Sequence, residues 1–195
     1  MSRRHFHLVS STRFFFASLL FCLWALTVGW NNPLLDDHSF RQTQTAITVL
    51  FMSRGGPLLN YETPILGAPW SCPYEFPLYR WVVLWFYRLG WLPLDQSGRL
   101  VSAIFLLISF AAVYRLMRKL EFSQAERRVS MALFFLSPHY LFWGRTFLIE
   151  TTALALCLWF AALSLELCEE LISGRSIFRV RYFFLFCSSA CSAPW

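Results

Sequence analysis

Apolar runs of membrane-crossing length, separated by short charged stretches, organise this chain. Phe14 to Trp30 is 17 residues without a charge, at the short end of what spans a bilayer. Residues 100–117, 129–148 and 151–167 are three further apolar runs, each with a single charge (Arg115, Arg145 and Glu166). Another begins near Tyr182 and stops at Trp195, so 182–195 reads as an incomplete fifth span. The segment Pro77–Leu94 is also apolar, but it carries Arg80 and Arg88 among Trp81, Trp85, Tyr87 and Trp91. Arginines at mid-bilayer are costly without partners, whereas an aromatic-rich helix suits the interface, so this segment is expected to lie flat. The pattern predicts an all-α, multi-pass transmembrane protein, with residues 31–98 forming one extracytoplasmic loop. Within that loop a helix is expected near Phe40–Met52 and an interfacial helix after Pro77, joined by turn-rich sequence around Gly55-Gly56-Pro57 and Pro64–Pro77.

Composition supports lipid as the solvent. Of the 195 residues, 57% are hydrophobic and only 14% charged, against about 25% charged in soluble domains. The net charge of +6 does not point to nucleic acid, because the basic residues cluster at the ends of apolar runs. Cys22, Cys157 and Cys168 fall in or at the end of apolar segments, Cys187 and Cys191 in the apolar C-terminal stretch, and Cys72 alone in a polar loop. Neither a disulfide framework nor a zinc site follows from that distribution.

Charge placement sets the orientation. With Pro77–Leu94 flat, the basic residues at 3–13, 115–128 and 175–181 share one side, 11 of the 17 in the chain. Arg41, Arg54, Arg80, Arg88, Arg99 and Arg145 are left on the other. The positive-inside rule then makes the N-terminus cytoplasmic. A cleaved signal peptide shares the basic start and apolar core, but no small-x-small site follows Phe14–Trp30, so an uncleaved anchor is the better reading. The location implied is the plasma (inner) membrane.

The reactive residues gather on the extracytoplasmic side. Asp36-Asp37-His38-Ser39-Phe40-Arg41-Gln42 follows the first span. A carboxylate there can serve as general base toward an acceptor hydroxyl, His38 can handle a proton or hold a metal, and Arg41 can neutralise a phosphate. The bland alternative is a solvated turn with an aspartate capping the next helix. Glu75 either belongs to the site or favours the dipole of the interfacial helix, which has Pro77 in its first turn. Arg145 and Glu150, between two apolar runs, are candidates because charges in that setting are expensive; simple pairing or snorkelling is the alternative.

In these residues the sequence resembles the GT-C membrane glycosyltransferases, and more closely the glycosyltransferase-39-like type that includes protein O-mannosyltransferases and the lipid A aminoarabinose transferase. The resemblance lies in Asp36–Ala46 (DDHSFRQTQTA), Tyr61–Tyr79 (YETPILGAPWSCPYEFPLY), Gly98–Ser102 (GRLVS) and Ser137–Thr151 (SPHYLFWGRTFLIET), in the family's order. It implies the N-terminal part of a GT-C fold, a polyprenyl-phosphate sugar donor, and inverting transfer on the extracytoplasmic face. It puts the base on Asp36 or Asp37, with Asp37 preferred because it directly precedes His38-Ser39, and the second acid on Glu150. Arg41 and Arg145 would lie near the donor phosphate, with His38, Gln42 and Glu75 completing the substrate-binding set. A divalent metal, the sugar and the acceptor stay open. The aminoarabinose branch has a lysine before the proline of its second motif, where this chain has Phe76. Family members are several times longer, so the ending Cys187–Trp195 reads as that of a truncated or frame-shifted chain, inactive or weakly stable by itself. A noncatalytic remnant and a lipid-linked-sugar transporter are the other readings; a transporter would spread charge along a path through the bilayer rather than on one face.

Overall fold

The computed structural model describes residues 2–34, 37–66, 70 and 75–172, with side chains described over 11–170 of these. Asp36, Cys72 and the expected fifth span at 182–195 lie outside the described residues. Every regular element of more than an isolated bridge among the described residues is helical. The elements are α1 (Ser2–Thr27), α2 (Ser39–Ser53), a 3-10 turn (Pro64–Leu66), α3 (Leu78–Arg88), α4 (Leu94–Lys119), α5 (Gln124–Leu136), α6 (Pro138–Arg145) and α7 (Glu150–Ile172).

Two of these helices are long and apolar enough to cross a membrane: Leu94–Lys119, with mean hydropathy 2.1, and Glu150–Glu170, with 1.7. Only 33% and 22% of their most apolar windows are buried inside the protein, so most of that apolar surface faces outward. The apolar part of α1, Ser11–Thr27, is shorter. Helix α3 has 11 residues, about 16 Å at 1.5 Å per residue, roughly half of a hydrocarbon core.

The expected helix over 129–148 is instead two helices. Ser137 takes an extended backbone (φ −63°, ψ 118°), as the residue before a proline tends to, and Pro138 opens α6 at the position where a missing N–H costs nothing. After Arg145 the chain leaves helical geometry again and resumes only at Glu150. The preceding helix starts at a capping box: Ser123 accepts from the Glu126 backbone N–H, and the Glu126 carboxylate accepts from Ser123 N. Those bonds favour the ionised form and hold the Glu126 carboxyl below its ordinary range.

Side-chain contacts fix the directions. Ser102 bonds the Leu148 carbonyl, the Trp159 indole donates to Ile108 O, and Arg115 meets Glu166, so α4 and α7 run parallel. Arg128 meets Thr12, and Phe135 packs on Phe15, so α5 and α6 run alongside α1 in the same direction. With the Tyr114 end of α4 beside Thr12, the main helices alternate in direction. Gly144 lets α6 close on the bundle: a Cβ there would come 2.4 Å from Leu106 and 2.8 Å from Leu26. Two cores result. One holds Cys22, Leu26, Leu106, Phe110, Met131 and Phe135 within the bundle. The other joins Val49, Met52, Tyr61, Tyr79, Val83, Val101 and Phe147, seating α2 and α3 on one end of it.

Candidate functional site

The site is built at the end of the bundle that α2 and α3 cover. Its foundation is a network of buried polar groups. The Gln42 side chain is fully buried; its Nε2 donates to the Asp37 carbonyl at 2.8 Å and its Oε1 accepts from Phe147 N at 2.9 Å. One amide therefore ties the segment before α2 to the segment before α7, across 105 positions of sequence. The buried Arg99 guanidinium donates to the carbonyls of Asn32 (3.2 Å), Pro33 (3.5 Å) and Arg145 (3.3 Å). Arg145 is the last residue of α6, where orphan carbonyls carry the negative end of the helix dipole.

Tyr79 adds a third tie. Its hydroxyl lies 3.0 Å from both Gly98 O and Ser102 Oγ, and Ser102 lies 3.1 Å from Leu148 O. Complete burial disfavours the phenolate, so the Tyr79 hydroxyl titrates well above its ordinary value and stays a hydrogen-bond donor. Gly98 has to be a glycine here, since a Cβ would come 2.0 Å from the Phe147 ring.

On this foundation stand four charges from four segments. Arg41 of α2 holds Glu75 at 3.5 Å through Nη2 and Glu150 at 3.2 Å through Nη1. Glu75 also meets Arg80 of α3, again at 3.5 Å. Tyr61 fixes Glu75: its buried hydroxyl accepts from Glu75 N and donates to Glu75 O, each at 3.1 Å. The Arg41 side chain is 51% exposed, so its ion pairs contribute on the order of 0–1 kcal/mol each. Their value lies in orientation.

Arg80 is different. Its side chain is 5% exposed, and its Cζ lies 4.4 Å from the Tyr61 ring centroid, a cation–π contact. Its Nε and Nη1 are buried with no hydrogen-bond partner among the described residues, as is Oε2 of Glu150. Burying an arginine costs several kcal/mol unless its donors are satisfied, and these two donor atoms, closed off from solvent, meet an outside acceptor only after a local rearrangement. An open pocket of about 320 Å³ lies beside it, lined by Phe40, Arg41, Gln44, Thr45, Glu75, Arg80, Leu148 and Ile149.

The residues singled out in the sequence divide as follows. Arg41, Glu75 and Glu150 meet directly. Asp37 is exposed at the N-terminal approach to α2; its carbonyl is held by Gln42, and its carboxylate makes no hydrogen bond or ion pair with a described residue. No aspartate caps α2. His38 does so, in left-handed geometry (φ 59°), without a side-chain cap bond and with its ring against Phe142 and Trp143 at 5.7 and 5.4 Å. A left-handed non-glycine residue costs about 1–2 kcal/mol, so packing and the Gln42 tether must hold this turn. Gln42 is in the foundation rather than the pocket lining, and Arg145 contributes its carbonyl to Arg99. The residue that sequence reasoning missed is Arg80, read there as an interfacial arginine. Its signal was Glu75 five positions earlier, a partner for a cation in an apolar helix. Among the described residues no group of three or more His, Cys, Asp or Glu is arranged to hold a metal, and the space between Glu75 and Glu150 is taken by the Arg41 guanidinium.

No protein-family model matches the chain, and neither does any curated protein or solved structure.

Proposed function

We propose that the chain is a multi-pass membrane protein carrying the site of a glycosyltransferase. It would take sugar from a polyprenyl-phosphate donor and pass it, with inversion, to an acceptor on the extracytoplasmic face. The observation that carries this reading is the presence of two arginines, Arg41 and the buried Arg80, in the lining of one open pocket. Two guanidiniums facing one pocket suit an anion with several acceptor oxygens, and planar forks suit phosphate in particular. The apolar outer surfaces of α4 and α7 supply the lipid environment that a polyprenyl chain requires.

In the proposed reaction the acceptor hydroxyl attacks the anomeric carbon as its proton passes to the Asp37 carboxylate. The bond from that carbon to the phosphate oxygen breaks, and its electron pair leaves on the polyprenyl phosphate. Arg41 and Arg80 stabilise the charge that develops there. Glu75 and Glu150 hold Arg41 in place, and the Gln42 tether keeps the Asp37 backbone at this end of the bundle. Arg80 takes the place of the cation that Phe76 does not provide.

The test uses membranes bearing the chain and a panel of polyprenyl-phosphate hexoses and pentoses, with binding of polyprenyl phosphate measured alongside transfer. Asp37→Asn is expected to abolish transfer and leave binding intact. Arg80→Gln is expected to weaken binding by 10- to 100-fold, the worth of about 1.5–3 kcal/mol for a charged hydrogen bond. Polyprenyl phosphate binding that is unchanged in both Arg41→Gln and Arg80→Gln sinks the reading. Binding without transfer to any acceptor identifies a noncatalytic binder instead.

A further inference from the structure

The opposite end of the bundle has a second open cavity of about 320 Å³, between α1, α4 and α5. Its polar lining includes Thr12, Gln124, Arg127 and Arg128, and its apolar lining includes Phe16 and Tyr114. Arg128 donates to Thr12 Oγ1 at 2.7 Å, which secures it against α1. The Cζ of Arg127 lies 5.5 Å from the Tyr114 ring centroid, and its buried Nε has no hydrogen-bond partner among the described residues.

Three of the nearby carboxylates have other partners. Glu166 pairs with Arg115, Glu169 with Lys119, and Glu126 accepts from Ser123 N. No described carboxylate pairs with Arg127 or Arg128. From the cavity, Phe16, Leu20 and Trp24 follow one face of α1 at intervals of four, 56%, 67% and 61% exposed. A small water-soluble anion would use the two cations but not that apolar track. An occupant with a phosphate and hydrocarbon chains uses both.

The geometry points to a binding site for an anionic phospholipid. The phosphate lies on Arg127 and Arg128, a headgroup hydroxyl meets Gln124, and an acyl chain runs along Phe16, Leu20 and Trp24. This inference rests on the membrane part of the proposed function and is independent of sugar transfer.

The experiment is native mass spectrometry of the full chain in neutral detergent, titrated with phosphatidylglycerol, phosphatidylcholine of the same acyl chains, or inorganic phosphate. Two arginines at about 1 kcal/mol each predict roughly thirty-fold tighter binding of phosphatidylglycerol than of phosphatidylcholine. The double variant Arg127→Gln/Arg128→Gln is expected to lose that preference. Gln124→Glu keeps both arginines and suits the first turn of α5, so it folds, and it is expected to weaken phosphatidylglycerol binding. Arg41→Gln, at the other end, is expected to retain the preference. Equal binding of the two lipids by the wild type, an undiminished preference in Gln124→Glu, or a preference lost in Arg41→Gln overturns the assignment. Inorganic phosphate displacing phosphatidylglycerol at equal concentration also overturns it.

Discussion

The two ends of α4 hold charge in opposite ways. At its N-terminal end Arg99 is buried and donates to the carbonyls of Asn32, Pro33 and Arg145, while Ser102 and Tyr79 share their hydroxyls with Gly98 O and Leu148 O. At its C-terminal end Arg115 and Lys119 reach outward to Glu166 and Glu169, with side chains 43% and 34% exposed. A buried cation without its acceptors is strongly destabilising, and acceptors without their donor are costly too; exposed pairs can be lost at little cost because water replaces the partner. The N-terminal end is therefore a rigid frame and the C-terminal end an adjustable surface. The candidate site stands on the rigid end, where side chains must keep their geometry.

The sharpest way to break this comparison is Arg99→Leu. It removes a charged donor from three backbone carbonyls; water can reach those of the exposed Asn32 and Pro33, so the loss rests mainly on the half-buried Arg145 carbonyl and about 1.5–3 kcal/mol is expected. Thermal melts in detergent should show it as the largest drop among the changes considered, with polyprenyl phosphate binding lost as well. Survival of both would mean that the α6 carbonyl needs no clamp.

Tyr79→Phe should cost less, about 0.5–1.5 kcal/mol, because Ser102 can still reach Leu148 O and Gly98 O, inside α4, keeps its helical N–H donor. The Tyr79 hydroxyl also gives this end a pH signature. Its folded-state pKa is raised, so its contribution is fully present below the ordinary tyrosine value near 10 and is lost as pH rises above it. Denaturation profiles should lose part of their alkaline decline in the phenylalanine variant. An identical decline in both proteins would assign it elsewhere.

The smallest effect is expected at the other end. Lys119→Gln should leave the melting temperature almost unchanged, and salt should erase even the small difference. A loss comparable to that of Arg99→Leu would remove the distinction between the two ends.

Helices α1, α4 and α7 were legible because apolar runs of about that length with at most one charge have few alternatives. The division of the third run was missed, because apolar length alone was followed across Ser137-Pro138, although that dipeptide is a local instruction that needs no tertiary partner. The fate of individual charges was harder to read. Arg80 and Arg88 sit eight residues apart on the same short helix, yet Arg80 is buried against Tyr61, whereas Arg88 reaches the Met52 carbonyl at 3.4 Å. Gln42 looks in sequence like one more polar residue beside Arg41. Its role as a brace requires Phe147, 105 positions away, to be already in place.

By itself, the sequence determined the all-helical character, the approximate limits of α2, α3, α4 and α7, and the concentration of acids and arginines in 36–41, 75–80 and 145–150. Those properties are local, set by apolar run length and by residue chemistry. Tertiary structure alone decided that Arg41 would bridge Glu75 and Glu150, that Arg80 would be buried with donors to spare, and that Arg99 would clamp three carbonyls. Such outcomes depend on which segments pack together, because the stability of a buried charge is set by its neighbours in space rather than along the chain.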